Sequence, residues 1–136
     1  MTDPIGIDAI TFSLPRSYVD LGDLAEARGV AADKYRLGLG VSQMAIAAGD
    51  EDPVSLAAAA GSRLLATSGR DPREIGFCAV GTETAVDHSK PVSSYVHGLL
   101  GLPSRCRVFE TKHACFGATA ALLSATEWIA SGAARG

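Results

Sequence analysis

The sequence has no basic run longer than two residues and no apolar stretch near the ~20 residues that cross a bilayer. These absences argue against a phosphate-tracking stripe, a polybasic membrane patch and a membrane span. A formal net charge of −3 likewise speaks against a nucleic-acid surface. The opening Met1-Thr2-Asp3-Pro4 lacks the basic and apolar regions of a secretory signal, so a cytoplasmic location is expected. Cysteine is scarce: Cys78, Cys106 and Cys115 are odd in number and no two are separated by two residues, which disfavours a disulfide framework or a zinc site. No metal is expected, and a single special thiol is worth seeking.

What is present is ordinary globular composition, 47% hydrophobic and 20% charged over 136 residues, which suits one compact unit with no second domain. Residues 5–14 are β-rich and apolar and are followed by Pro15, which predicts a buried strand leading into a turn. Asp20 stands before Leu21, Leu24 and Ala27 at helical spacing, with Asp23 and Glu26 in the first turns and Gly29 as a stop; a second short helix is expected over 32–37. Residues 38–52 read as loop, and the acidic Asp50-Glu51-Asp52 before Pro53 reads as a helix-start device, not a metal site. The Ala-rich stretch 54–66 is apolar on nearly every face and predicts a helix packed on both sides. Residues 75–80 suit a central strand covered on both faces. A helix over 92–100 ended by Gly101, a strand over 107–111 and a helix over 118–130 complete the pattern, and the small residues 131–136 read as a surface loop. Strands and helices alternate without repeats, the pattern of an α/β sheet with helices on its faces.

Cys115 falls at a strand-to-helix junction, between Ala114 and Phe116 and just before Gly117-Ala118-Thr119. Small residues let the backbone approach a substrate there, a helix start favours thiolate, and its amides could hold the oxyanion of an attacked thioester. The alternative is an inert packing thiol, the reading given to Cys78 and Cys106. Glu83 follows an apolar strand directly, where open α/β sheets place ligand-handling groups, and could act as general acid or base. A solvated loop carboxylate is the competing reading, and Asp87 is given it. His88, His97 and His113 each raise a cysteine–histidine pairing; His113, two residues before Cys115, would share its side in an extended segment, while His97 falls in a helical packing pattern. Gly38 and Gly40 lack the third glycine and the Lys-Ser or Lys-Thr pair of a phosphate loop.

Several stretches together resemble the hydroxymethylglutaryl-CoA synthase family. They are Ile5-Gly6-Ile7-Asp8, Pro15 with Tyr18-Val19-Asp20, Leu24-Ala25-Glu26-Ala27-Arg28, Lys34-Tyr35, Gly38-Leu39-Gly40, Gly81-Thr82-Glu83-Thr84 with Ser89-Lys90, and Phe109-Glu110 leading through Lys112 to Ala114-Cys115. The resemblance implies a thiolase-like layered fold, of which this chain is the first part of a duplicated αβαβα architecture. It implies that Cys115 takes an acetyl group from acetyl-CoA and that Glu83 handles the proton as that group condenses with an acetoacetyl thioester. Ala32 and Lys34 become candidates for contact with CoA, which is a substrate here and not a resident cofactor. Val41 stands where the family usually has glutamine, Phe116 where it has tyrosine, and His113 where glutamine or glutamate is frequent. The family's acceptor-binding histidine and most CoA contacts have no counterpart, so a second polypeptide, a homo-oligomer or a longer chain is expected to complete the enzyme. Two other roles stay open: polyketide β-branching on an acyl carrier protein instead of the mevalonate pathway, and a non-catalytic subunit of a condensing enzyme.

Overall fold

A computed structural model describes residues 4–133, and the last three residues expected as surface loop, 134–136, lie outside them. The chain gathers into two compact units, one of residues 14–52 and the other of 4–13 with 53–133.

In the unit 14–52, strand β1 (Ser17–Asp20) pairs antiparallel with β2 (Gln43–Ile46), with Ser17 opposite Ile46 and Asp20 opposite Gln43. Between them lie helices α1 (Leu21–Ala27) and α2 (Asp33–Arg36). Asp20 caps α1 as its pattern predicts: its carboxylate accepts the Gly22 N–H at 2.7 Å, satisfying an amide without an intrahelical partner. Gly29 follows at φ 63°, a left-handed conformation that glycine adopts without Cβ strain. Residues 38–52 are not all loop, since they contain β2. Four residues of mixed polarity carry little local strand signal, and β2 exists because β1 supplies its partner. Asp50 and Glu51 both bind the Arg16 guanidinium, and Glu51 also accepts the Ala48 N–H at 2.9 Å.

The other unit is built on a parallel pair, β3 (Phe77–Thr82) and β4 (Arg107–Lys112), joined by helix α4 (Val92–Leu99). Helix α5 (Gly117–Ala130) lies on one face of the pair, where Phe77 stacks on Trp128 with centroids 5.4 Å apart. Ala118, Ala121 and Ala125 border Ala79 and Gly81, so small side chains let helix and sheet come close. On the other face Cys78 and Val80 meet Val96, Leu100 and Leu102, and α3 (Pro53–Ser68) packs on α4. The β3 strand is thus contacted on both faces, but all six of its residues are only half-buried, and with β4 its one partner among the described residues it is not the central strand that its apolar run predicts.

Two expectations are corrected in this unit. Residues 5–14 form no strand: Ile7 and Ile10 are 68% and 84% exposed, and neither sheet includes the segment. It is tied to α3 instead by Thr11 Oγ1 donating to the Ala60 carbonyl at 2.9 Å and by Arg63 donating to the Phe12 carbonyl. A β-rich sequence becomes a strand only when a neighbour meets its backbone groups, and here helix side chains and carbonyls make the contacts instead. Helix α3, expected to be packed on both sides, has no fully buried residue; its contact with α4 runs through Gly61, where a Cβ would lie 2.7 Å from Leu100. No helix among the described residues is long and apolar enough to cross a membrane.

Candidate active site

The site grows from the way β3 and β4 end. Thr82 pairs with Lys112, and the His113 N–H donates to the Thr82 carbonyl at 3.1 Å, so the two chains leave the sheet side by side. Glu83 is the first residue beyond β3, and Cys115 follows β4 by one turn. Both therefore occupy the C-terminal edge of a parallel sheet. The approach of α5 to this edge is backbone on backbone. A Cβ on Gly81 would collide with the carbonyl of Gly117 and the nitrogen of Ala118, and one on Gly117 would sit 3.2 Å from both the Thr111 carbonyl oxygen and the Thr82 nitrogen. Position 81 admits only glycine and position 117 is tight for any side chain, so the start of α5 rests closely against the end of β3.

Cys115 is exposed in the turn 114–116, as its junction position predicts. The Gly117 N–H donates to the His113 carbonyl at 2.9 Å and folds the turn into the start of α5. Beyond Gly117, the first amides of α5 have no intrahelical acceptor and lie at the positive end of the helix, the environment that suits a thiolate or a developing oxyanion. The other two thiols differ. Cys78 is half-buried and burial pushes it up to about 11; Cys106 is buried, and burial raises it too. Both are protonated packing residues at neutral pH, in keeping with the inert reading.

Glu83 is exposed at the start of a loop that its neighbours organise. Thr82 Oγ1 accepts the Thr84 N–H at 3.0 Å, and Asp87 accepts the Ser89 and Lys90 N–H groups at 2.7 and 3.1 Å and the Tyr95 hydroxyl at 3.1 Å. These bonds, those from the Ser89 and Lys90 amides foremost, hold the Asp87 carboxyl below its ordinary value. Lys90 lies over the Tyr95 ring at 4.0 Å. Asp87 is therefore a loop-building residue and not the idle solvated carboxylate expected of it.

Of the histidines, His97 Nε2 bonds the Pro103 carbonyl at 3.0 Å, a satisfied packing residue as expected. His113 stands edge-on to Phe116 with centroids 5.4 Å apart, and His88 is an exposed loop residue. Ala32 and Lys34 belong to the unit 14–52. Ala32 caps α2 with its carbonyl, which accepts the Tyr35 and Arg36 N–H groups, and Lys34 is exposed on that helix. Among the described residues no three His, Cys, Asp or Glu side chains gather as a metal site. One contact escaped the sequence reading. Glu110 of β4 accepts the Val92 N–H at 2.5 Å, across 18 residues of chain. The available signal was Pro91, which leaves the next helix without a local capping side chain.

The family model described as hydroxymethylglutaryl-coenzyme A synthase N terminal matches residues 1–136. The hydroxymethylglutaryl-CoA synthase ERG13 of Gibberella zeae is 42% identical over 95% of this chain, which spans 28% of that protein. A solved structure of MvaS in complex with 3-hydroxy-3-methylglutaryl coenzyme A superposes with a TM-score of 0.93 at 52% identity, covering 98% of this chain and 32% of that one. The HMG synthase of the curacin biosynthetic pathway, solved in complex with acetyl donor-ACP, superposes at 0.85 with 31% identity, covering 93% and 31%. A 3-oxoacyl-(acyl-carrier-protein) synthase III at 23% identity shares the fold, with a TM-score of 0.85. The chain thus has the thiolase-like α/β fold and spans about a third of the length of the proteins it matches.

Proposed function

Because the chain belongs to the hydroxymethylglutaryl-coenzyme A synthase N-terminal family, we propose that it carries the acyl-transfer half of a condensing enzyme, with Cys115 as nucleophile and Glu83 as general base. The observation that carries this reading is the glycine-on-glycine contact of Gly81 with Gly117, which brings the turn of Cys115 and the loop of Glu83 to one sheet edge. The Cys115 thiolate attacks the thioester carbonyl of acetyl-CoA, the amides at the start of α5 stabilise the oxyanion, and CoA leaves as its thiol with the proton lost by Cys115. Glu83 then takes a proton from the acetyl methyl group, and the resulting carbon nucleophile attacks the ketone of an acetoacetyl thioester. Ala32 and Lys34 are proposed to meet the nucleotide part of CoA, Lys34 through phosphate attraction. The acceptor-binding histidine and the remaining CoA contacts would come from a second polypeptide, a second copy or further chain.

Intact-protein mass spectrometry after incubation with acetyl-CoA tests the first half-reaction. An acetyl adduct on the wild-type chain, absent from Cys115→Ala, is expected, and Cys78 and Cys106 should stay unmodified because burial keeps them protonated. A fully active assembly containing Cys115→Ala would instead support a non-catalytic subunit. The similarity to a curacin-pathway synthase bound to an acetyl carrier protein favours a second reading, polyketide β-branching. Faster acetylation from an acetyl-carrier protein than from acetyl-CoA would select it.

A further inference from the structure

We infer that Glu110 is a positioning residue for Glu83, acting as a remote cap that holds the far end of the Glu83 loop against the strand leading to Cys115. This rests on the roles proposed above for those two residues. The loop 83–91 leaves β3 at Thr82, which is paired with Lys112 of β4, and returns at Val92, whose N–H is bound by Glu110 of the same strand. Both ends of the excursion are thereby fastened to β4, one through the backbone ladder at Lys112 and the other through the Glu110 side chain. Five residues beyond Glu110 the same strand and turn present Cys115.

Helix α4 needs this contact. Its N-cap is Pro91, which contributes no side-chain hydrogen bond, and Val92 is 1% exposed, so neither water nor a local side chain is placed to receive its N–H. The Glu110 carboxylate supplies the acceptor and sets negative charge at the positive end of the helix. The rest of the loop is braced from within, by Thr82 on Thr84 and by Asp87 on Ser89, Lys90 and Tyr95. Loss of the Glu110 contact therefore frees a pre-formed loop to swing about its β3 end, and Glu83 moves relative to Cys115 while the turn that presents Cys115 keeps its closing bond from the Gly117 N–H to the His113 carbonyl.

The consequence separates two steps. Acetyl transfer depends on Cys115 and the α5 amides, whereas removal of a methyl proton depends on where Glu83 sits. The test uses the full chain, wild type, Glu110→Ala and Glu110→Gln, acetylated with acetyl-CoA in deuterium oxide, with the mass of the Cys115 peptide followed over time. Glu83 takes a proton from the methyl carbon and a solvent deuteron returns, so each exchange adds one deuterium, and Glu83→Gln sets the background.

Glu110→Ala should acetylate like wild type but exchange its methyl protons about tenfold to a hundredfold more slowly, the scale of a small misplacement of a reacting group. Glu110→Gln, whose amide oxygen can still accept the Val92 N–H, should recover most of that loss. Equal losses in acetylation and exchange, an undiminished exchange rate in Glu110→Ala, or no recovery in Glu110→Gln would each overturn the inference. Backbone amide exchange is read on the same proteins: Val92 and the segment 83–91 should lose protection in Glu110→Ala while α5 keeps it. If the wild type takes no acetyl group, the reading of the site fails, and unchanged protection at Val92 and 83–91 would then overturn the role of Glu110 separately.

Discussion

Asp87 shows how a single carboxylate can organise the ground beside a proposed base without taking part in chemistry. It gathers two backbone amides and the Tyr95 hydroxyl, and those bonds favour its charged form. A group whose folded pKa lies below its unfolded one stabilises the fold above the unfolded value, about 4 for aspartate, and loses that contribution as pH falls through the folded value. Asp87→Asn should therefore lower Tm relative to wild type at pH 6, and the gap should close as the pH drops below about 4. A Tm difference that stays constant over that range in thermal scans would contradict the assignment. At this scale Asp87 was poorly legible in advance, because its partners Ser89, Lys90 and Tyr95 are ordinary residues until a turn folds them around it.

Among the elements, the contact of β3 with α5 decides the site. Burying Gly81 against the carbonyl of Gly117 and the Ala118 nitrogen leaves no volume for a methyl group, and the obstruction is backbone, which cannot rotate away. Gly81→Ala should cost about 1–3 kcal/mol, the usual range for overpacking, and should reduce acetylation of Cys115 as α5 is pushed off the strand. Urea unfolding and the acetylation assay read the two effects, and a variant of wild-type stability would show that the approach is looser than described. Several elements were legible from local chemistry alone: Asp20 and Gly29 bound α1, Gly101 at φ 62° ends α4, and the apolar run 75–80 contains most of β3. The pairing of β1 with β2 was not legible, because each strand is four residues long and its reason to exist lies more than twenty residues away.

For the molecule as a whole, the exposed apolar surface of the described residues is the dominant physical fact. Val108 and Phe109 on β4 and Leu122, Leu123 and Ile129 on α5 are all exposed. Exposed apolar side chains and the open edges of a two-stranded sheet favour association of an isolated chain. Light scattering on the purified chain should report oligomers or aggregates growing with concentration, and a stable monomer at high concentration would refute that expectation. The proposal that a partner, a second copy or further chain completes the enzyme makes a matching forecast, that any such completing polypeptide suppresses the association.

The sequence by itself determined the local pieces: capping residues, glycine stops, the apolar run of β3, and a cysteine placed between a strand and a helix. Each follows from periodicity or from the φ preference of one residue, which act over a few positions. Its resemblance to a family also named Cys115 and Glu83, whereas their positions alone left each with an inert alternative. Tertiary structure decided the rest. It brought both residues to one sheet edge through Gly81 and Gly117, turned Glu110 into the cap of a helix 18 residues upstream, and left 5–14 outside both sheets. Those outcomes depend on strand register and on which backbone groups find partners across long separations, quantities that no local pattern encodes.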